Sequence, residues 1–285
     1  MVSRAHLLGG WLLAACAGLG AWAPPAHAAA PLMIWPVDPM MAGGQRAVAL
    51  WIENRGEEPV SVQVRVMGWT QDQGDDRFDA QKDVIPSPPI ADIAPGARQL
   101  VRLMALVPAS PLSEDAYRVI VDELPRPVAA APQAEGPAAA AAALAPAPLP
   151  ALAPALGVQL QVRYAIPLFV YGAGAAGPRM SATALAALNG EPVQPLDADL
   201  SWRITSDGGS HRLVLRNTGR AHARLTAVSW QAADAARETP INPGLLGYVL
   251  PGSERQWELP APPAGPLLLK ATVNGRQALV RRAAP

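Results

Sequence analysis

The chain has 285 residues, with 23 Lys+Arg against 23 Asp+Glu and a formal net charge of zero. That length suits two domains, each large enough for its own core, and the charge balance speaks against a nucleic-acid binder, which carries a basic excess. The 32 prolines and 24 glycines fit strands and turns better than long helices.

Residues 1–28 read as a secretory signal. Arg4 supplies a positive start, Leu7 to Leu19 is apolar but short for a membrane span, and Ala26-His27-Ala28 fits the small-x-small cleavage rule. The mature chain is expected to begin near Ala29 and to lack cysteine, because Cys16 is the only one. Leu13-Ala14-Ala15-Cys16 also fits a lipoprotein cleavage site, which would leave Cys16 lipidated at the N-terminus. No later run is long and apolar enough for a transmembrane segment.

From Pro31 to Pro127 the pattern is that of short strands. Ala47–Glu53 is an apolar run ending at the turn signal Asn54-Arg55-Gly56. Val60, Val62, Val64 and Val66 then alternate with Ser61, Gln63, Arg65 and Met67, a half-buried strand expected to pair with the run before it. Gln99–Leu106 and Tyr117–Leu124 follow, and the spacing predicts a sandwich. From Val128 to Ala155 the composition falls to mostly Ala and Pro, which can neither bury a core nor pair regularly, so a mobile loop is expected.

Gly157–Gly172 is a long alternating strand. Val158, Leu160, Val162, Tyr164 and Ile166 fall on one face, with Gln159, Gln161, Arg163, Ala165 and Pro167 on the other. Taken by themselves these residues read more readily as a core strand of their own domain than as an exposed one. Beyond Ala173 a second strand-rich region contains Leu200–Thr205 and Arg212–Asn217 around a Gly208-Gly209 loop. Strands at Ala223–Trp230, Gly247–Leu250, Arg255–Leu259, Leu267–Val273 and Ala278–Arg282 follow, with Asn274-Gly275 as a strong hairpin turn.

Catalytic and metal-binding patterns are missing. Beyond the leader only His211 and His222 occur, without further ligands at zinc spacing. No nucleophile elbow, phosphate loop or H-E-x-x-H is found. Asp75 and Asp76 lack the spacing of a calcium loop and read as a solvated hairpin tip. The expectation is a protein that is not an enzyme and uses no cofactor or metal.

Ala47–Gly56 (AVALWIENRG), Val62–Thr70 (VQVRVMGWT), Ser87–Gly96 (SPPIADIAPG), Tyr117–Pro125 (YRVIVDELP), Val162–Val170 (VRYAIPLFV) and Leu246–Gly252 (LGYVLPG) together resemble the periplasmic pilus-assembly chaperones of the chaperone–usher pathway. They are most similar to its archaic, Csu-type branch. The resemblance implies an all-β protein of two immunoglobulin-like sandwiches set at an angle, in an L or boomerang shape. The first would span 29–172, with its mobile loop at 128–156 and a donor strand at 157–172, and the second 173–285.

It implies a protein that resides in the periplasm, folds pilus subunits by donating that strand through Val158, Leu160, Val162, Tyr164 and Ile166, and delivers them to an outer-membrane usher. An exposed apolar edge would also permit self-association. The family's basic pair for the subunit's C-terminal carboxylate falls near Asp38 and at Pro167, neither of them basic. Arg118 is therefore the first candidate anchor, Arg163 the second and Arg102 the third. Glu114 matches an acidic residue that ties the two domains together in the family, but its usual Arg partner falls at Tyr171. A cis bond is expected at Pro88-Pro89.

Overall fold

A computed structural model describes residues 32–125, 161–178, 194–232 and 238–284, and every regular element of more than a turn among them is a strand. In the N-terminal part these are β1 (Leu32–Trp35), β2 (Met40–Met41), β3 (Ala47–Asn54), β4 (Val60–Asp72), β5 (Asp75–Ala80), β6 (Val84–Ser87), β7 (Ile90–Ile93), β8 (Arg98–Ala105), β9 (Glu114–Glu123) and β10 (Arg163–Tyr171). The C-terminal part has β11 (Ala175–Ala176), β12 (Gln194–Pro195), β13 (Leu200–Asp207), β14 (Ser210–Asn217), β15 (Ala223–Ala232), β16 (Glu238–Val249), β17 (Glu254–Leu259), β18 (Leu267–Val273) and β19 (Arg276–Arg282). Ala30–Arg126 and Gln161–Pro285 pack as one compact unit.

The first sandwich has one sheet of order β1-β3-β8-β6 and another of order β2-β10-β9-β4-β5, with β7 also on β4. The alternation Val60, Val62, Val64, Val66 lies on the inner face, as expected. It meets Leu50 and Ile52 of β3 and Val101 and Leu103 of β8 in one core. Each such side chain contributes roughly 1.5–3 kcal/mol by leaving water.

One expected pairing is wrong. Ala47–Asn54 and Val60–Asp72 do not pair; they belong to opposite sheets. The link between them is a corner fixed by Asn54, whose buried Nδ2 donates to Glu58 O (2.7 Å) and Ile93 O (2.9 Å) while its Oδ1 accepts from Gly56 N. The second sandwich repeats the device. Asn217 Nδ2 donates to Ala221 O and Val249 O, and its Oδ1 accepts from Gly219 N. The cis peptide bonds are Ser87–Pro88 and Trp35–Pro36, so the expected cis bond lies one residue earlier than Pro88-Pro89.

In the second sandwich β13, β14 and β17 form one layer and β15, β16 and β18 the other. β19 joins them, antiparallel to β18 and parallel to β13. The β13–β14 hairpin turns at Gly208-Gly209 and the β18–β19 hairpin at Asn274-Gly275, all four with positive φ, the geometry that Gly and Asn tolerate best. Trp202 and Trp230 meet at 5.0 Å in the core, and Trp202 Nε1 donates to Val280 O. Both parts are immunoglobulin-like sandwiches, the all-β class expected from the sequence.

Candidate functional site

The site is built on β9 and β10, an antiparallel pair in which Tyr164 faces Val121, Ile166 faces Val119 and Pro167 faces Arg118. On its other side β10 pairs only at Phe169 and Val170, with Met40 and Met41 of β2. From Arg163 to Leu168 the backbone edge has no strand partner among the described residues. Such an edge is a template for another chain.

Of the expected strand Gly157–Gly172, the described part is Arg163–Tyr171. It begins at Arg163, and Val158 and Leu160 lie outside the described residues. Val162 is half-buried, and its carbonyl accepts from Glu123 N. Tyr164 is half-buried against the core of its own sandwich, and Ile166 belongs to that core with 8% exposure, followed on the same face by Leu168 and Val170. Ile166 is thus not an exposed apolar side chain, as the donor assignment would have it. The alternating row thus enters the protein's own core where β10 pairs with β9.

The outer face of the same sheet carries Arg118. Its guanidinium lies 3.8 Å from the Trp69 ring centroid, with Phe78 at 5.5 Å and Tyr248 of the second sandwich at 6.0 Å. Its Nε is buried and has no hydrogen-bond partner. Burial pushes the guanidinium pKa down; Asp76 and Tyr248 oppose this, and Arg255 adds to it. A desolvated cation with an unsatisfied donor is chemically an anion receptor.

The other two candidates do not join it. Arg163 is exposed and bound to Asp122 at 2.5 Å, which also holds Arg65 at 2.6 Å. Arg102 is exposed on β8, in the opposite sheet.

Further residues not assigned a functional role from the sequence complete the surroundings. His222 stacks on Phe169 at 3.6 Å and 6°. Its backbone N donates to Glu114 Oε1 and its Nδ1 lies 3.0 Å from Glu114 Oε2. Glu114 therefore links the two sandwiches through His222. Gln71 works beside it as a backbone mimic, donating to Tyr248 O and accepting from Leu250 N.

Asp76 is not a solvated tip. It accepts from Trp69 Nε1 and Gln71 Nε2, both at 2.9 Å, and pairs with Arg255 at 3.4 Å. The β4–β5 hairpin itself docks on β17, with Gln256 N donating to Gly74 O. The sequence signal for this junction is Trp69 and Gln71 on the outward parity of β4, large side chains where small or charged ones are expected.

Residues 37–145 match the family model described as pili and flagellar-assembly chaperone, PapD N-terminal domain. A comparison with curated protein sequences finds no match. Among solved structures the chain is similar to the CsuC–CsuE chaperone–tip adhesion subunit pre-assembly complex from archaic chaperone–usher Csu pili of Acinetobacter baumannii. That similarity has 27% identity, covers 90% of this chain and 100% of that one, and gives a TM-score of 0.63. The fold is shared with the Salmonella enterica SafA pilin–SafB chaperone complex (14% identity, 90% and 99% coverage, TM-score 0.52). It is shared also with the E. coli chaperone DraB (17% identity, 89% and 96% coverage, TM-score 0.50).

Proposed function

We propose, from the premise that the first sandwich belongs to the pili and flagellar-assembly chaperone family, that this protein captures pilus subunits in the periplasm by strand donation and passes them to an outer-membrane usher. The observation that carries the reading is the β10 edge, unpaired from Arg163 to Leu168 among the described residues and anchored at its far end by β2. An incomplete subunit sheet gains main-chain hydrogen bonds along that edge, and its open groove takes alternate apolar side chains.

Tyr164 at the start of β10, and Val162, Leu160 and Val158 before it by the same parity, are the side chains assigned to the groove. Arg118 receives the subunit's terminal carboxylate. The signal-like residues 1–28 carry the chain out of the cytoplasm, and its work there is binding, without catalysis.

The test is co-expression with the pilin genes neighbouring its own, followed by purification of complexes from the periplasm. The intact protein is expected to yield a one-to-one complex. The Leu160→Asp/Val162→Asp double variant is expected to keep its circular dichroism spectrum and yield none. A double variant that captures subunits as well as the intact protein would refute strand donation through this row. Self-association of the free protein through the same edge would show as a dimer that dissolves when a subunit binds.

A further inference from the structure

A second arginine borders the site that holds Arg118. Arg255, on β17 of the second sandwich, lies 3.4 Å from Asp76, and its Nε, like that of Arg118, is buried without a hydrogen-bond partner. Trp69 connects the two groups. Its ring face carries Arg118 at 3.8 Å, while its indole Nε1 donates to Asp76 at 2.9 Å. Trp257 backs Arg255 at 5.6 Å, as Trp69, Phe78 and Tyr248 surround Arg118.

The charges here do not balance. Asp76 Oδ1 is taken by Trp69 and Gln71 and Oδ2 by Arg255, so among the described residues no hydrogen bond or ion pair joins Asp76 to Arg118. Two guanidiniums against one carboxylate leave one positive charge in a place walled by rings. Leaving buried N–H donors unmade is costly. A carboxylate, planar with two oxygens, matches guanidinium forks and cancels that charge.

The geometry points to Arg255 as the second cation of the carboxylate site, so that a subunit's C-terminus is held by one arginine from each sandwich. This rests on the reading of Arg118 as the anchor and extends it to a residue of the second sandwich. Asp76 then acts as a positioning residue, holding Arg255 in place before the carboxylate arrives.

The experiment uses the full mature chain labelled with ¹³C and ¹⁵N, with the arginine Nε–H resonances of Arg118 and Arg255 assigned by triple-resonance spectra of the intact protein. Sodium acetate is the probe, and acetamide at equal concentrations is the neutral control. Both resonances are expected to move together and saturably with acetate and to stay still with acetamide. Arg255→Gln is expected to weaken acetate binding at Arg118 by about tenfold, and Arg255→Lys to recover part of the loss.

If Arg118 moves while Arg255 does not, the second-cation role is overturned and the Arg118 anchor stands. If neither moves, both readings fall. Because the intact protein alone distinguishes these results, poor folding of a variant does not blunt the test.

Discussion

Arg118 on β9 and Pro167 on β10 are register partners, and cross-strand partners project from the same side of a sheet. The resemblance puts the missing family lysine at Pro167. On the proposed reading of Arg118 as anchor, the cation is displaced sideways by one strand and kept at the same level along the sheet. The ring centroid of Trp69 lies 3.8 Å from the guanidinium, and the Nε of Arg118 is buried.

Arg118→Gln should weaken subunit capture by about 2–5 kcal/mol, the range for removing one member of a buried charge pair at an interface. Because the Nε of Arg118 is unsatisfied in the free protein, the same substitution should leave the melting temperature equal or higher. Calorimetric titration with a purified subunit and a thermal melt measure the two effects. A clear fall in melting temperature with unchanged affinity would make Arg118 a structural residue.

Position along β10 should separate binding from folding. Val162→Asp, at the half-buried position just before the strand, should abolish capture in a folded protein. Leu168→Asp, fully buried in the core, should unfold the first sandwich, since an ionised carboxylate cannot be placed there without a partner. Circular dichroism and capture measured on both variants check this, and equal unfolding by both would mean that Val162 is core.

His222→Ala should destabilise the protein by about 1.5–3 kcal/mol, the worth of a hydrogen bond to a charged group. It strips Glu114, whose side chain is 0% exposed, of the His222 Nδ1 contact and removes the stack on Phe169. Glu114→Gln keeps an acceptor for His222 N and should cost less. Urea denaturation orders the variants, and an unchanged midpoint for His222→Ala would show that the contact contributes nothing.

Asp122 gives a pH signature. Burial alone would raise its pKa, but hydrogen bonds from Arg163 and Arg65 outweigh burial and hold it below the ordinary carboxylate value of 3.8. A carboxyl depressed in the folded state stabilises fully above its unfolded pKa, and that contribution is lost as pH falls through the folded value. Asp122→Asn should therefore lower stability above about pH 4 and converge with the unsubstituted protein in stronger acid. Melting temperatures from pH 2.5 to 6 test it, and parallel curves would refute it.

Period-two alternation made the framework legible. Val60 to Val66 marked the core face of β4, and Asn274-Gly275 marked a hairpin. Alternation says which face a side chain takes but not which sheet will face it, and for this reason β3 and β4 were mistaken for neighbours. Arg118 could be singled out only because the resemblance left a carboxylate without its cations. Arg255 reaches Asp76, and His222 reaches Glu114, from positions far apart in the chain, and no local pattern encodes such contacts. Asp76 looked like a loop residue because its partner Arg255 belongs to another sandwich.

The short β2 strand has one more consequence. Met40 and Met41 occupy the edge of β10 at Phe169 and Val170, so a strand zipping along β10 from its Arg163 end meets a stopper after roughly 20 Å, at about 3.3 Å per residue. A fixed stop sets the phase as well as the length of the added strand. A slip by one residue would turn every inward side chain of the guest outward, and Met40 stands where such a slip would have to begin.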